Sequence, residues 1–174
     1  MEIKLEQAVQ ILERTPGVLN QLVSGLPDGW VMTNEGPETW SPYDIVGHLL
    51  QGEESDWIPR AKIILEHGEG RAFEPFDRFA QFEKSKGKTL AELLDRFALL
   101  RQRSLEDLKE LRLTDDLLQK RGLHPDLGTV TLGQLIATWT VHDLSHISQM
   151  TRVMCKQYSA AVGPWKEYLP VLTR

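Results

Sequence analysis

One stripe along one long helix constrains this chain more than any other feature. Leu135, Trp139, His142, His146, Met150 and Val153 recur every three or four residues, the spacing that places side chains on one helical face. Two of the six are histidines, so imidazoles stand where a buried face calls for apolar groups. Residues four apart on a helix lie one above the other, and one metal ion can bridge such a pair. Burying the two rings without partners would cost about 1–3 kcal/mol for each unsatisfied group, and the competing reading of each is a core histidine satisfied by its neighbours. Two ligands do not make a site. The best third candidate is His48 in Ser41-Pro-Tyr-Asp-Ile-Val-Gly-His-Leu-Leu50, distant in the chain but on the stripe Ile45, His48, Leu49.

The remaining periodicity predicts an all-α chain of four helical segments, with no convincing alternating strand. The first covers about residues 3–25, restarting at Thr15-Pro16 and closed by Gly25. The second opens at Ser41-Pro42 and runs toward Glu66 with a kink expected at Pro59. Residues 68–87 read as an irregular excursion. Thr89-Leu-Ala-Glu92 and Thr131-Leu-Gly-Gln134 match the capping box, and they open helices expected to reach about Leu111 and Tyr158. Gly122, Pro125 and Gly128 mark a loop between them. Four such segments predict a four-helix bundle, a fold whose core can assemble metal ligands from facing helices.

The chain has 174 residues, 41% hydrophobic and 26% charged, which fits one globular domain spanning 1–174. A net charge of −5 argues against gripping nucleic-acid phosphates or an anionic membrane. No apolar run approaches the roughly 20 residues that cross a bilayer. A single cysteine excludes an internal disulfide, and with no apolar leader after Met1 the expectation is a cytoplasmic protein.

Other polar residues carry weaker signals. Asp143 beside His142, and Asp44 four before His48, read either as solvated or capping carboxylates or as groups orienting a ligand. Gln149, three after His146, sits at the edge of the stripe or donates to a bound ligand. Glu53 and Glu54 fall off the His48 face and read as a solvated, charged surface. Cys155, half a turn round from His146, is expected to point away as a small buried residue. His67 suits a helix C-terminus, and His124 suits a loop. Trp30, Trp40 and Trp57 with Phe73, Phe76, Phe79 and Phe82 form either an apolar entrance or a core lid.

The pattern Trp40-Ser-Pro-Tyr-Asp-Ile-Val-Gly-His48 early, and Val141-His-Asp-Leu-Ser-His146-Ile-Ser-Gln-Met150 late, resembles the DinB/YfiT-like superfamily of four-helix-bundle metalloproteins. The resemblance implies a three-histidine site of His48, His142 and His146 with positions open to water or substrate. It implies a divalent ion, Zn(II) or Ni(II) by the preference of imidazole, and a small-molecule substrate. Members of the superfamily include transferases and isomerases that use low-molecular-weight thiols, as well as metal-dependent hydrolases. The expected activity is therefore metal-dependent transfer or hydrolysis, with a structural or sensory metal in a binding protein as the alternative. A homodimer is expected by resemblance and by the prevalence of two-fold pairs.

Overall fold

The computed structural model describes residues 3–173. Helices α1 (Leu5–Leu12) and α2 (Thr15–Val23) make one broken arm, followed by the single turn α3 (Asp28–Val31). Helices α4 (Pro42–Ser55) and α5 (Trp57–His67) make the second arm. The short α6 (Ala80–Ser85) precedes the third, α7 (Leu90–Glu110). A further turn, α8 (Asp115–Leu118), leads into strands β1 (Arg121–His124) and β2 (Gly128–Thr131), and α9 (Leu132–Lys156) is the fourth arm. α4 packs on α7 and α9, α1 on α9, and α2 on α7, which closes the four-helix bundle.

The helix starts follow local chemistry. Ser41, Thr89 and Thr131 each cap their helix in a capping box with Asp44, Glu92 and Gln134, so side chains satisfy backbone N–H groups that a first turn leaves without partners. Thr89 Oγ1 accepts from the Glu92 N–H at 3.2 Å, and Glu92 Oε2 accepts from the Thr89 N–H at 2.7 Å. Thr89→Ala should therefore destabilise the protein by about 1 kcal/mol in urea unfolding. The bond from the Thr89 N–H holds the Glu92 carboxyl below its ordinary value of 4.5. A folded pKa below the unfolded one adds stability above pH 4.5 that fades as pH falls through the folded value; alanine keeps the N–H bond but loses the Thr89 hydroxyl's own 2.8 Å bond to Glu92 Oε2, so that share of the Thr89→Ala difference should shrink in acid.

Three predicted features are corrected. The second arm breaks at Asp56 (φ −111°, ψ −73°), not at Pro59, which lies in the first turn of α5 where its missing N–H costs nothing. Residues 121–131 are an antiparallel hairpin with Arg121 opposite Thr131 and His124 opposite Gly128, its return eased by Gly128 at φ +73°. Gly122 lies so close to α5 that an added Cβ would sit 2.6 Å from Ile64 Cγ1. That approach seats the hairpin on α5. Residues 68–87, read as irregular, include a 3-10 turn and α6.

The apolar interior falls into two clusters. One gathers Leu12, Trp57, Ala61, Ile64, Leu132, Ile136 and Trp139; the other gathers Leu19, Ile45, Leu49, Leu93, Phe97 and Met150. Along α9 the histidines and Asp143 lie between Trp139 of the first cluster and Met150 of the second. Along the second arm Glu53 lies between Leu50 and Trp57 in the same way. A polar layer thus separates two hydrophobic ones.

Candidate metal centre

α4 delivers His48 and α9 delivers His142 and His146 to one point. Their three ligand atoms lie within 4.8 Å of one another. His142 Nε2 is 3.0 Å from His48 Nε2 and 3.1 Å from His146 Nε2. Two imidazole nitrogens each 2.0–2.1 Å from a common ion, at angles between 90° and tetrahedral, stand about 2.8–3.4 Å apart. Both spacings to His142 fall in that range. Hydrogen bonding accounts for the cluster poorly. His146 Nδ1 faces Gln149 Oε1 at 2.8 Å, so Nδ1 carries the proton and the Nε2 of a neutral ring is a bare lone pair. His142 Nε2 then either donates to His146 or accepts from His48, and it cannot do both.

Burial holds these rings neutral. It pushes His48 down to about 3, with the charge of His146 adding to the effect, and His142 down to about 2, with His146 and His48 adding. His146 is lowered too, chiefly by burial, while the Gln149 bond opposes the shift. Three neutral imidazoles with converging lone pairs form the donor set that a divalent cation takes, so the residues present fit the group.

Aromatic rings hold the imidazoles in place. Trp40 lies 4.6 Å from His48 and stacks on His146 at 6.0 Å; Trp57 meets His142 edge-on at 5.1 Å, and Phe76 meets His48 at 5.6 Å. These rings, the three histidines and Phe73 line a cavity of about 520 Å³. Trp30 packs instead on Tyr158, and Phe79 and Phe82 stack on each other at the surface. The apolar entrance is thus made by Trp40, Trp57, Phe73 and Phe76. Gln149 fixes the tautomer and tilt of His146, and losing such a support typically costs 10–100-fold in metal affinity. Gln149→Ala should show a loss of about that size in competition with a chromophoric chelator, with helicity unchanged.

The other sequence candidates divide. Asp44 is a cap, its Oδ2 accepting from the Ser41 N–H at 2.9 Å. Asp143 is neither solvated nor bonded to a histidine: it is fully buried and takes a two-pronged bond from Arg101, at 2.6 and 3.1 Å. Glu53, read as solvated, is buried and accepts from Arg101 Nη2 at 2.8 Å and from Trp139 Nε1 at 3.2 Å. Cys155 does point away from the histidines, but it is exposed, because that side of α9 is uncovered by the described residues. His124 ends β1 and lines the cavity. Sequence reasoning passed over Arg101 entirely. It also passed over Asp56 and Arg60, although their four-residue spacing beside Trp57 was a usable signal.

The bundle and its histidine cluster define a helical protein with a candidate ligand set drawn from facing helices. The chain belongs to the DinB superfamily, whose model matches residues 11–150. Among solved structures it is similar to YfiT from Bacillus subtilis, 25% identical, with a TM-score of 0.75 over 88% of this chain and 87% of that one. YfiT is described as "a probable metal-dependent hydrolase with an unusual four-helix bundle topology". No curated protein matches the chain in sequence.

Proposed function

We propose that this protein is a metal-dependent enzyme acting on a small molecule, with one divalent ion held by His48, His142 and His146. Zn(II) or Ni(II) is the ion preferred by three imidazoles. The reaction is hydrolysis, or group transfer to a low-molecular-weight thiol. The observation that carries the reading is the convergence of three Nε2 atoms, from helices 94 residues apart in sequence, at the floor of an aromatic cavity. The description of YfiT as a metal-dependent hydrolase supports the same class.

A divalent ion with neutral ligands keeps its full charge, and the chemistry it supplies when bound is to acidify a water or thiol to near neutrality. The chain does the rest. Gln149 keeps the His146 Nε2 lone pair free by taking the Nδ1 proton in a hydrogen bond. Trp40, Trp57 and Phe76 brace the rings and keep bulk water off them, and the cavity leaves room for a substrate beside the cluster.

The test is metal analysis of protein purified without affinity-tag metal, followed by cobalt substitution. One equivalent of metal is expected, with a visible spectrum that responds to added small thiols and an exchangeable water. A saturated site with no exchangeable water and no response to thiols would shift the assignment to a structural or sensory metal.

A further inference from the structure

The cavity beside the histidines also contains two guanidinium groups, and one of them is built into the wall. Arg60 on α5 is only 8% exposed. Its Nε lies 2.6 Å from Asp56 Oδ1, its Nη2 donates to the Glu74 carbonyl at 3.3 Å, and its guanidinium carbon sits 5.1 Å from the centre of the Phe73 ring. The ion pair with Asp56, the Glu74 bond and the Phe73 ring fix the orientation of the planar fork. On the end-on edge Nη1 has no hydrogen-bond partner among the described residues, and Arg60 lines the cavity. A preset guanidinium with one edge free is a receptor for a planar oxyanion, which it meets with two parallel bonds.

The second cation, Arg78, lines the same cavity and makes no ion pair with a described carboxylate. Its charge acts on His48, which places its field over the cluster. The acids of the lining leave this preference in place. Asp56 is committed to Arg60 Nε, and burial pushes its carboxyl up to about 6 against the pull of Arg60. Asp126 is exposed. Both acids oppose a second negative charge on a ligand, which favours a monoanion over a phosphate dianion.

We propose that this cavity binds a small carboxylate, held end-on by the guanidinium of Arg60 with Arg78 adding attraction, its apolar body against Trp40 and Phe76. The inference rests on the reading of the cavity as a substrate pocket. It does not need the metal.

The experiment titrates the full chain, freed of metal by chelation and dialysis, with benzoate, benzyl alcohol and phenyl phosphate. Proton–nitrogen correlation spectra follow arginine Nε–H and tryptophan indole N–H signals. Saturable benzoate binding is expected to shift Arg60 Nε–H and the Trp40 and Trp57 indoles. Benzyl alcohol should bind about tenfold more weakly or worse, the value of a charge-assisted pair, and Arg60→Gln should cost benzoate a similar factor. Arg78→Gln, at an exposed position, should cost severalfold and decides the matter if the Arg60 variant does not fold. Absence of saturable benzoate binding, equal affinity for benzyl alcohol, a preference for phenyl phosphate, or unchanged benzoate affinity in the folded variants would overturn the proposal. Benzoate binding that appears only after zinc is added, and is indifferent to Arg60 and Arg78, would overturn it while supporting the metal centre. Arginine-dependent binding to a protein that takes up no zinc would do the reverse.

Discussion

Replacing His142 with alanine is expected to abolish metal binding while leaving the bundle folded. His142 is the middle member of the cluster, its Nε2 about equally close to both other rings, so its loss leaves His48 and His146 without the nitrogen that links them. Removing a hydrogen bond to a ligand costs 10–100-fold in affinity, and removing the ligand itself should cost more than about 100-fold. The fold has less at stake. Alanine is the best helix former, and the ring it replaces has a buried Nδ1 with no hydrogen-bond partner. The metal-free variant should therefore unfold within a few degrees of the metal-free parent. Zinc at 100 times its dissociation constant should stabilise the parent by about 2.7 kcal/mol and the variant by almost nothing. Metal content and thermal unfolding with and without zinc check both halves. Stoichiometric zinc retained in His48→Ala, His142→Ala and His146→Ala alike would show that the ion binds elsewhere.

The fold and the cluster were legible where local rules govern. α7 and α9 begin where their capping boxes lie, because a threonine followed three residues later by Glu or Gln satisfies the first-turn N–H groups whatever the tertiary context. The histidine pair was legible because helical geometry alone fixes residues four apart, and His48 stood out as a polar residue in an apolar stripe. The hairpin was not. Arg121-Gly-Leu-His124 and Gly128-Thr-Val-Thr131 are four-residue strands, each with a glycine in it, and they depend on α5 for support. The break at Asp56 was likewise invisible. Proline is the visible helix breaker, while Asp56 departs from ideal helix angles at a residue held by its ion pair with Arg60.

The polar layer shows a different limit. Glu53 and Asp143 look like surface carboxylates when each helix is read alone, because their partner, Arg101, lies 48 and 42 residues away on α7. Such a group is cheap to bury only when its counter-charge arrives from another helix. Periodicity on one helix carries no information about that. The same holds for Arg60, whose free edge exists only because Asp56, Glu74 and Phe73 converge on the other side of it.

The largest loss of stability should come from Arg101→Met. Arg101 is 1% exposed; it donates to Asp143 with both Nη atoms, to Glu53, and to the Leu12 carbonyl at 2.8 Å, with its guanidinium carbon 5.0 Å from the Phe97 ring and 5.1 Å from Trp139. One side chain on α7 thus ties α1, α4 and α9. Burial pushes the Glu53 carboxyl up and Arg101 pulls it back down, so removing the guanidinium leaves two buried acids with no counter-charge. Methionine fills much of the volume but none of the charge, and breaking a buried pair in this way costs about 3–5 kcal/mol. Against a total stability of about 5–15 kcal/mol, that is enough to populate unfolded chains at ordinary temperature. Urea unfolding of Arg101→Met measures the loss, and a change below about 1 kcal/mol would mean that the charges are not the tie between the helices. A triple variant with Glu53→Gln and Asp143→Asn added should recover part of the deficit, because neutral amides tolerate the absence of a cation better than carboxylates do. Metal affinity supplies the second readout. Asp143 adjoins His142, so if the Arg101 bond sets the rotation of α9, Arg101→Met should weaken zinc binding even in the fraction that remains folded.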